Sequence, residues 1–352
     1  MIPVNRTDDE TTDEGVEQPR PLADGSGRPT GEPAADGGSV SESNIPLDSV
    51  SVEETTLVDR IRKYLAGRWE TFQLAWEDWR FKAGFLVILG YVLVGTVGVR
   101  VVDQPSFSDG TPFETPGQSE TLLGTDHFGQ DILGLIVHAT PDMLLMLLGG
   151  AVFATGVGAA IGILAGYKGG RADAVLMTMT DTAMMIPALP LIIIVGAIWE
   201  PTDPIVVGIL VSINAWAGAA RTLRSQVLTI RDAGYVEASR VMNVSTSSIL
   251  RKDITPQLLP LILVNFVISG RGVIFNAVAL YFLGVLPVEQ ANWGVMLQSA
   301  FEAGAVTSPR LFYMVLWPML TIVLISWGLI MLSQGLDRVV NARVRDRDAR
   351  AK

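Results

Sequence analysis

Few residues in this 352-residue chain can do covalent or acid–base chemistry. There is no cysteine, which excludes disulfides, thiolate metal sites and a cysteine nucleophile. The two histidines, His127 and His138, stand 11 residues apart without an adjacent serine partner and read as polar loop residues. The strings H-E-x-x-H, G-x-S-x-G and G-x-x-x-x-G-K-[ST] are all absent, so no zinc hydrolase, serine hydrolase or phosphate loop is encoded. No catalytic residue and no metal ligand is assigned. The remaining polar groups of interest are of two kinds. Asp181, Arg271 and Asn276 interrupt apolar stretches, where a charge needs a partner or a water-filled cavity. Tyr235, Glu237, Ala238, Ser239 and Arg240 set charge beside two small side chains, which suits either close approach by another protein or packing within their own loop.

The elements that must position these groups are membrane spans. Apolar stretches run over 83–99, 143–165, 174–199, 204–220, 258–286 and 311–332. The second and sixth hold no charge over more than 20 residues, enough for a helix to cross ~30 Å of hydrocarbon. Asp181 and Arg271 are the single charges of the third and fifth. Gly149, Gly150, Gly158, Pro187, Pro190, Pro260 and Pro318 are tolerable inside such helices where these pack closely. A soluble core is excluded, because six such runs in one small domain would leave no surface.

Lys and Arg set the orientation. None occurs between Arg100 and Lys168 or between Arg171 and Arg221, while bases crowd 221–252 and 338–352. Both termini are therefore expected in the cytoplasm, with six crossings of the plasma membrane between them. In such a membrane Arg271 pairs with Asp181, bonds to Asn265 or Asn276, or stands with Asn276 and Asp181 on a polar path across.

The net charge of −10 is local. Residues 1–57 hold 13 acids against three bases, leaving 23 of each sign in 58–352. That tail is rich in Gly, Pro, Ser and Thr, has no hydrophobic period, and is expected to be a disordered, acidic cytoplasmic segment. After it, Val58, Ile61, Leu65, Trp69, Phe72, Trp76 and Trp79 fall on one helical face, predicting an amphipathic interfacial helix over 58–82. The six-helix domain then covers 83–340, and 341–352 forms a basic cytoplasmic tail.

The stretch from Arg221 to the fifth span is nearly 40 residues, uncommon for a loop that neither folds nor works. Residues 235–242 have helical character, and Asn243 with Ser245, Thr246 and Ser247 supplies a stop. The string YVEASRVMNVS, followed by Pro256, resembles the EAA motif of ABC importer permeases. Glu237, Ala238 and Ser239 stand at the E-A-A positions. Asn243 replaces the usual Gly and tolerates the left-handed conformation best after it. LGTDHFGQDIL (123–133) is similar to the L-G-T-D-x-x-G-R-D segment of dipeptide/oligopeptide permeases, with Gln130 in place of Arg. AGYKGGRAD (165–173), FNAVALYFLG (275–284) and WGVML (293–297) extend the resemblance in order over roughly 83–340.

The resemblance implies an all-α membrane protein with the type I ABC importer permease (MetI-like) fold of the dipeptide/oligopeptide and nickel family. It implies a coupling loop at 221–257 that docks a short helix on an ATPase, through Tyr235, Glu237, Ala238, Ser239, Arg240 and Asn243. The expected partners are a second homologous permease, two ABC ATPase subunits, an extracytoplasmic solute-binding protein and the lipid membrane, with no nucleic acid. The chain itself is expected to bind no cofactor and to be no enzyme, because ATP and Mg would be used by the ATPases. Peptides are the expected solute, nickel or oligosaccharides the alternative within the family. An ion-coupled secondary transporter would be the alternative of another class, and it predicts repeated halves that the sequence lacks.

Overall fold

In the computed structural model the described residues are 75–350, except 108–109, 119–120 and 288–290, with side chains placed as far as Arg338. The acidic tail 1–57 and the amphipathic stretch 58–74 lie outside them. All regular structure among the described residues is helical apart from one bridge between Thr125 and Asp131.

Helix α1 (Trp79–Leu93) continues through a π-turn at Val94–Gly98 to Val99–Val101. Asp78 starts it, accepting the Arg80 amide at 2.8 Å, so the span begins at Trp79 and the amphipathic segment ends before 82. Helix α2 (Ile132–Lys168) has 37 residues. At ~1.5 Å per residue it runs far past a hydrocarbon layer of ~30 Å. Asp131 caps its start through the Leu133 and Gly134 amides.

The third and fourth predicted spans are each broken. Helices α3 (Gly170–Met185) and α4 (Ala188–Trp199) meet at 83°, and α5 (Pro204–Val211) and α6 (Trp216–Ile230) meet at 64°. Four helices are long and apolar enough to span, and up to six crossings result if each bent pair is one. The first break follows from Pro187, which pushes Ile186 into an extended conformation at ψ 122°. Its freed carbonyl accepts from Asn214 Nδ2 at 3.4 Å. At the second, the Val211 carbonyl accepts from Asn276 Nδ2 at 3.0 Å. Backbone groups freed inside a membrane must be satisfied in this way.

The predicted loop after span four is largely helix: α6, α7 (Gly234–Val241), α8 (Thr246–Ile249) and a π-turn at Leu250–Ile254 lead into α9 (Thr255–Phe282). Helices α10 (Trp293–Glu302) and α11 (Tyr313–Arg350) follow. The basic end of the chain is thus a continuation of α11 through Arg350 and no separate tail begins at 341.

The main core joins α1, α2, α4, α5, α9, α10 and α11 around the fully buried Trp293. A second, smaller cluster of Ile163, Leu223, Val227, Val236, Ile249, Ile254 and Leu258 ties one end of α2 to α6, α7 and the start of α9. The contact of α2 with α6 depends on Gly158, Gly162 and Gly166, one per helical turn. A Cβ on Gly158 would lie 2.6 Å from that of Ala219, and one on Gly166 2.7 Å from that of Val227. Small residues at this spacing let two helices approach backbone to backbone.

Candidate functional site

Helix α7 sits beyond the end of α2, held by one buried side chain and several polar ties. Val236 is fully buried in the second cluster. Ser239 Oγ donates to Asp253 Oδ2 at 3.1 Å, and Gln257 Nε2 donates to the Tyr235 hydroxyl at 2.6 Å. The Arg240 guanidinium lies 5.0 Å from the centre of the Tyr167 ring, a cation–π distance. Arg231, just before the helix, donates to the Gly166 carbonyl at 3.0 Å. Asp253 and Gln257 lie outside every motif, and Val236 and Tyr167 lie within YVEASRVMNVS and AGYKGGRAD at positions those resemblances do not single out. An Asp–Gln pair four apart in a helical stretch is the faint signal that could have marked two of them.

The end of α7 is a complete Schellman turn. Asn243 has φ 56°, its amide donates to the Arg240 carbonyl at 2.9 Å, and the Val244 amide donates to the Ser239 carbonyl at 3.1 Å. Asn243 thus holds the left-handed position that its replacement of glycine leads one to expect.

With Val236 turned inward, α7 presents the opposite face. Glu237, Ala238 and Met242 are exposed, as is Val241 at 81%. Ala238 leaves the backbone open between Glu237 and these apolar side chains. An exposed apolar face on a helix held firmly from behind suits docking better than chemistry. Two ion pairs fix the elements behind it: Arg224 holds Asp173 with two hydrogen bonds of 2.5 and 2.6 Å, and Arg221 pairs with Asp181.

The other singled-out residues do not converge. Asp181 is engaged by Arg221, so the expected pair with Arg271 does not form. Asn265 Nδ2 donates to the Leu261 carbonyl of its own helix and Asn276 Nδ2 to the Val211 carbonyl at the bend of span four, and neither Oδ1 accepts from Arg271 among the described residues. Arg271 is exposed on α9, on a stripe with Ile268 and Phe275, and its side chain has no ion pair or hydrogen bond among the described residues. His127 lies in the turn before α2, whereas His138 belongs to α2, its Nε2 placed 3.0 Å from the Val102 carbonyl. No cluster of metal-binding side chains occurs among the described residues.

Residues 158–346, which hold the glycine stripe, α7 and Arg271, match the family described as the binding-protein-dependent transport system inner membrane component. The oligopeptide transport system permease protein OppC of Bacillus subtilis is 26% identical over 77% of this chain and 90% of its own. The di/tripeptide transport system permease protein DppC of Pseudomonas aeruginosa is 29% identical over 65% of this chain and 75% of its own. A chain of the MetNI methionine ABC transporter in inward-facing conformations superposes with a TM-score of 0.46 at 18% identity, over 59% of this chain and 95% of that one. With its multi-pass helical body and more than half its length matched, the chain belongs to the family of binding-protein-dependent transport system inner membrane components.

Proposed function

We propose that this chain is one permease half of an ATP-driven importer of peptides. It works beside a second homologous permease, two ABC ATPases and an extracytoplasmic solute-binding protein. Helix α7 docks on an ATPase, both termini lie in the cytoplasm, and the 103–142 and 287–310 segments face the binding protein. The observation that carries the reading is α7 itself: a short helix pinned by Val236, capped by Asn243 and exposing Glu237, Ala238, Val241 and Met242 at the end of the bundle where basic residues gather. The names of the relatives, which are peptide permeases, supply the solute class. ATP-driven approach of the ATPases would carry α7 with it, and the rigid connection through α6 would pass that motion to the bent spans. Arg271, whose side chain has no ion pair or hydrogen bond among the described residues, is assigned to the pathway between the two permeases.

The test is uptake of a labelled dipeptide into proteoliposomes holding the permease pair, with and without the ATPases, in the presence of the binding protein. Uptake that requires ATPases and ATP is expected. Uptake by the permeases alone, driven by an ion gradient, would overturn the reading.

A further inference from the structure

At the end of α2 remote from α7 is a cavity of about 720 Å³, within the ~300–1,000 Å³ range of small-molecule sites. Its floor is apolar, formed by Ile132 and Leu135 of α2 and Val295 and Met296 of α10. Phe107 and Phe128 form an aromatic wall, their rings edge to face at 5.5 Å and both exposed. Asp126 also lines it and is only 8% exposed. One carboxylate oxygen, Oδ1, is committed to the local turn, accepting the Phe128 and Gln130 amides at 2.8 and 2.9 Å. Among the described residues the nearest His, Lys or Arg nitrogen to Oδ2 is His127 Nδ1 at 4.0 Å, beyond a hydrogen bond.

A carboxylate this buried is costly unless a positive group meets it. No Lys or Arg lines the cavity among the described residues, the sequence has neither from 101 to 167, and the one imidazole in the lining, His138, has its Nε2 3.0 Å from the Val102 carbonyl. Gln130, which lines the recess beside Asp126, offers a neutral amide there and no cation. A buried acceptor, aromatic faces and an apolar floor together match a primary ammonium on an apolar stem.

We propose that this cavity receives the ammonium end of a short peptide. The inference rests on the import reading for where the peptide comes from, whereas its chemistry stands on Asp126, Gln130 and Phe128.

The test measures equilibrium binding of labelled alanyl-phenylalanine and of its N-acetyl form to the complete transporter in lipid nanodiscs, without nucleotide or binding protein. The free amine is expected to bind about tenfold or more tightly than the acetylated form, as for a charge-assisted hydrogen bond in a recess. Gln130→Arg should erase that preference by supplying the guanidinium from within. Asp126→Asn should do the same while keeping the turn acceptor. If Asp126→Asn fails to fold, Gln130→Arg decides alone. Equal binding of both forms, or a preference that survives Gln130→Arg, would overturn the site. So would variants that weaken docking of the binding protein but leave dipeptide binding intact, because the ammonium would then be a lysine of that protein. Uptake measured in parallel separates the two claims. Uptake without the amine preference removes only this site, and the preference without uptake removes only the import reading.

Discussion

Uptake by the assembled transporter falls at least about tenfold when Ala238 becomes tryptophan, while insertion, folding and assembly of the permease pair are unchanged. Ala238 is exposed, so the indole has open space beside the described residues. It stands between the helix backbone and whatever docks there, and loss of a central contact in an interface typically costs ~2 kcal/mol or more, which is over tenfold. Stimulation of ATP hydrolysis by solute-loaded binding protein is lost in parallel. Substituting the neighbouring Ser239 is a poorer test, because its hydroxyl holds Asp253 and the change would also loosen α7 from behind. Undiminished uptake and ATPase stimulation in Ala238→Trp would remove α7 from the coupling path.

The second large effect is on the α2–α6 contact. Gly162→Leu lowers thermal stability and the yield of folded protein, and Gly162→Ala does so by less. Even a methyl group at 162 would run into the Ala220 carbonyl, a backbone atom that moves only if α6 moves. Overpacking of this kind costs about 1–3 kcal/mol. Since α6 leads directly into α7, the displacement reaches the docking face. Gly156 is the internal control: a Cβ there meets nothing within 4 Å, so Gly156→Ala leaves stability unchanged. Thermal melts of the three variants in detergent decide the matter. Equal melts for the two alanine variants would show that the stripe is not a packing seam.

How far these features are legible in the sequence varies with the distance between the interacting residues. Helix α7 and its stop are local. Small residues beside charge and a left-handed-tolerant Asn243 lie within ten positions, and the helix over 235–242 is found at Gly234–Val241 with Asn243 at φ 56°. The bends of spans three and four are not legible in this way. Pro141, Pro260 and Pro318 sit inside unbroken helices, so a proline alone predicts no break. Pro187 coincides with one, its freed carbonyl at Ile186 met by Asn214, 28 positions on. The other bend has no proline and relies on Asn276, 65 positions from Val211. Asn276 interrupts an apolar stretch and so marks a pathway candidate by sequence, and its amide braces a bend. Asp181 likewise finds Arg221 instead of Arg271, because the break in span three turns α3 towards α6. Long-range partners of this kind become visible only once the helices are packed.

The most direct measurement uses the absence of cysteine. A single cysteine introduced by Met242→Cys, at a position 70% exposed on the docking face, carries a short thiol-reactive photo-crosslinker in the complete transporter. The expected product joins this chain to an ATPase subunit. The same probe at Phe128→Cys, at the far end of α2, joins it to the solute-binding protein or to nothing. Cross-linking of position 242 to no ATPase in an assembled, hydrolysing complex would contradict the coupling role of α7.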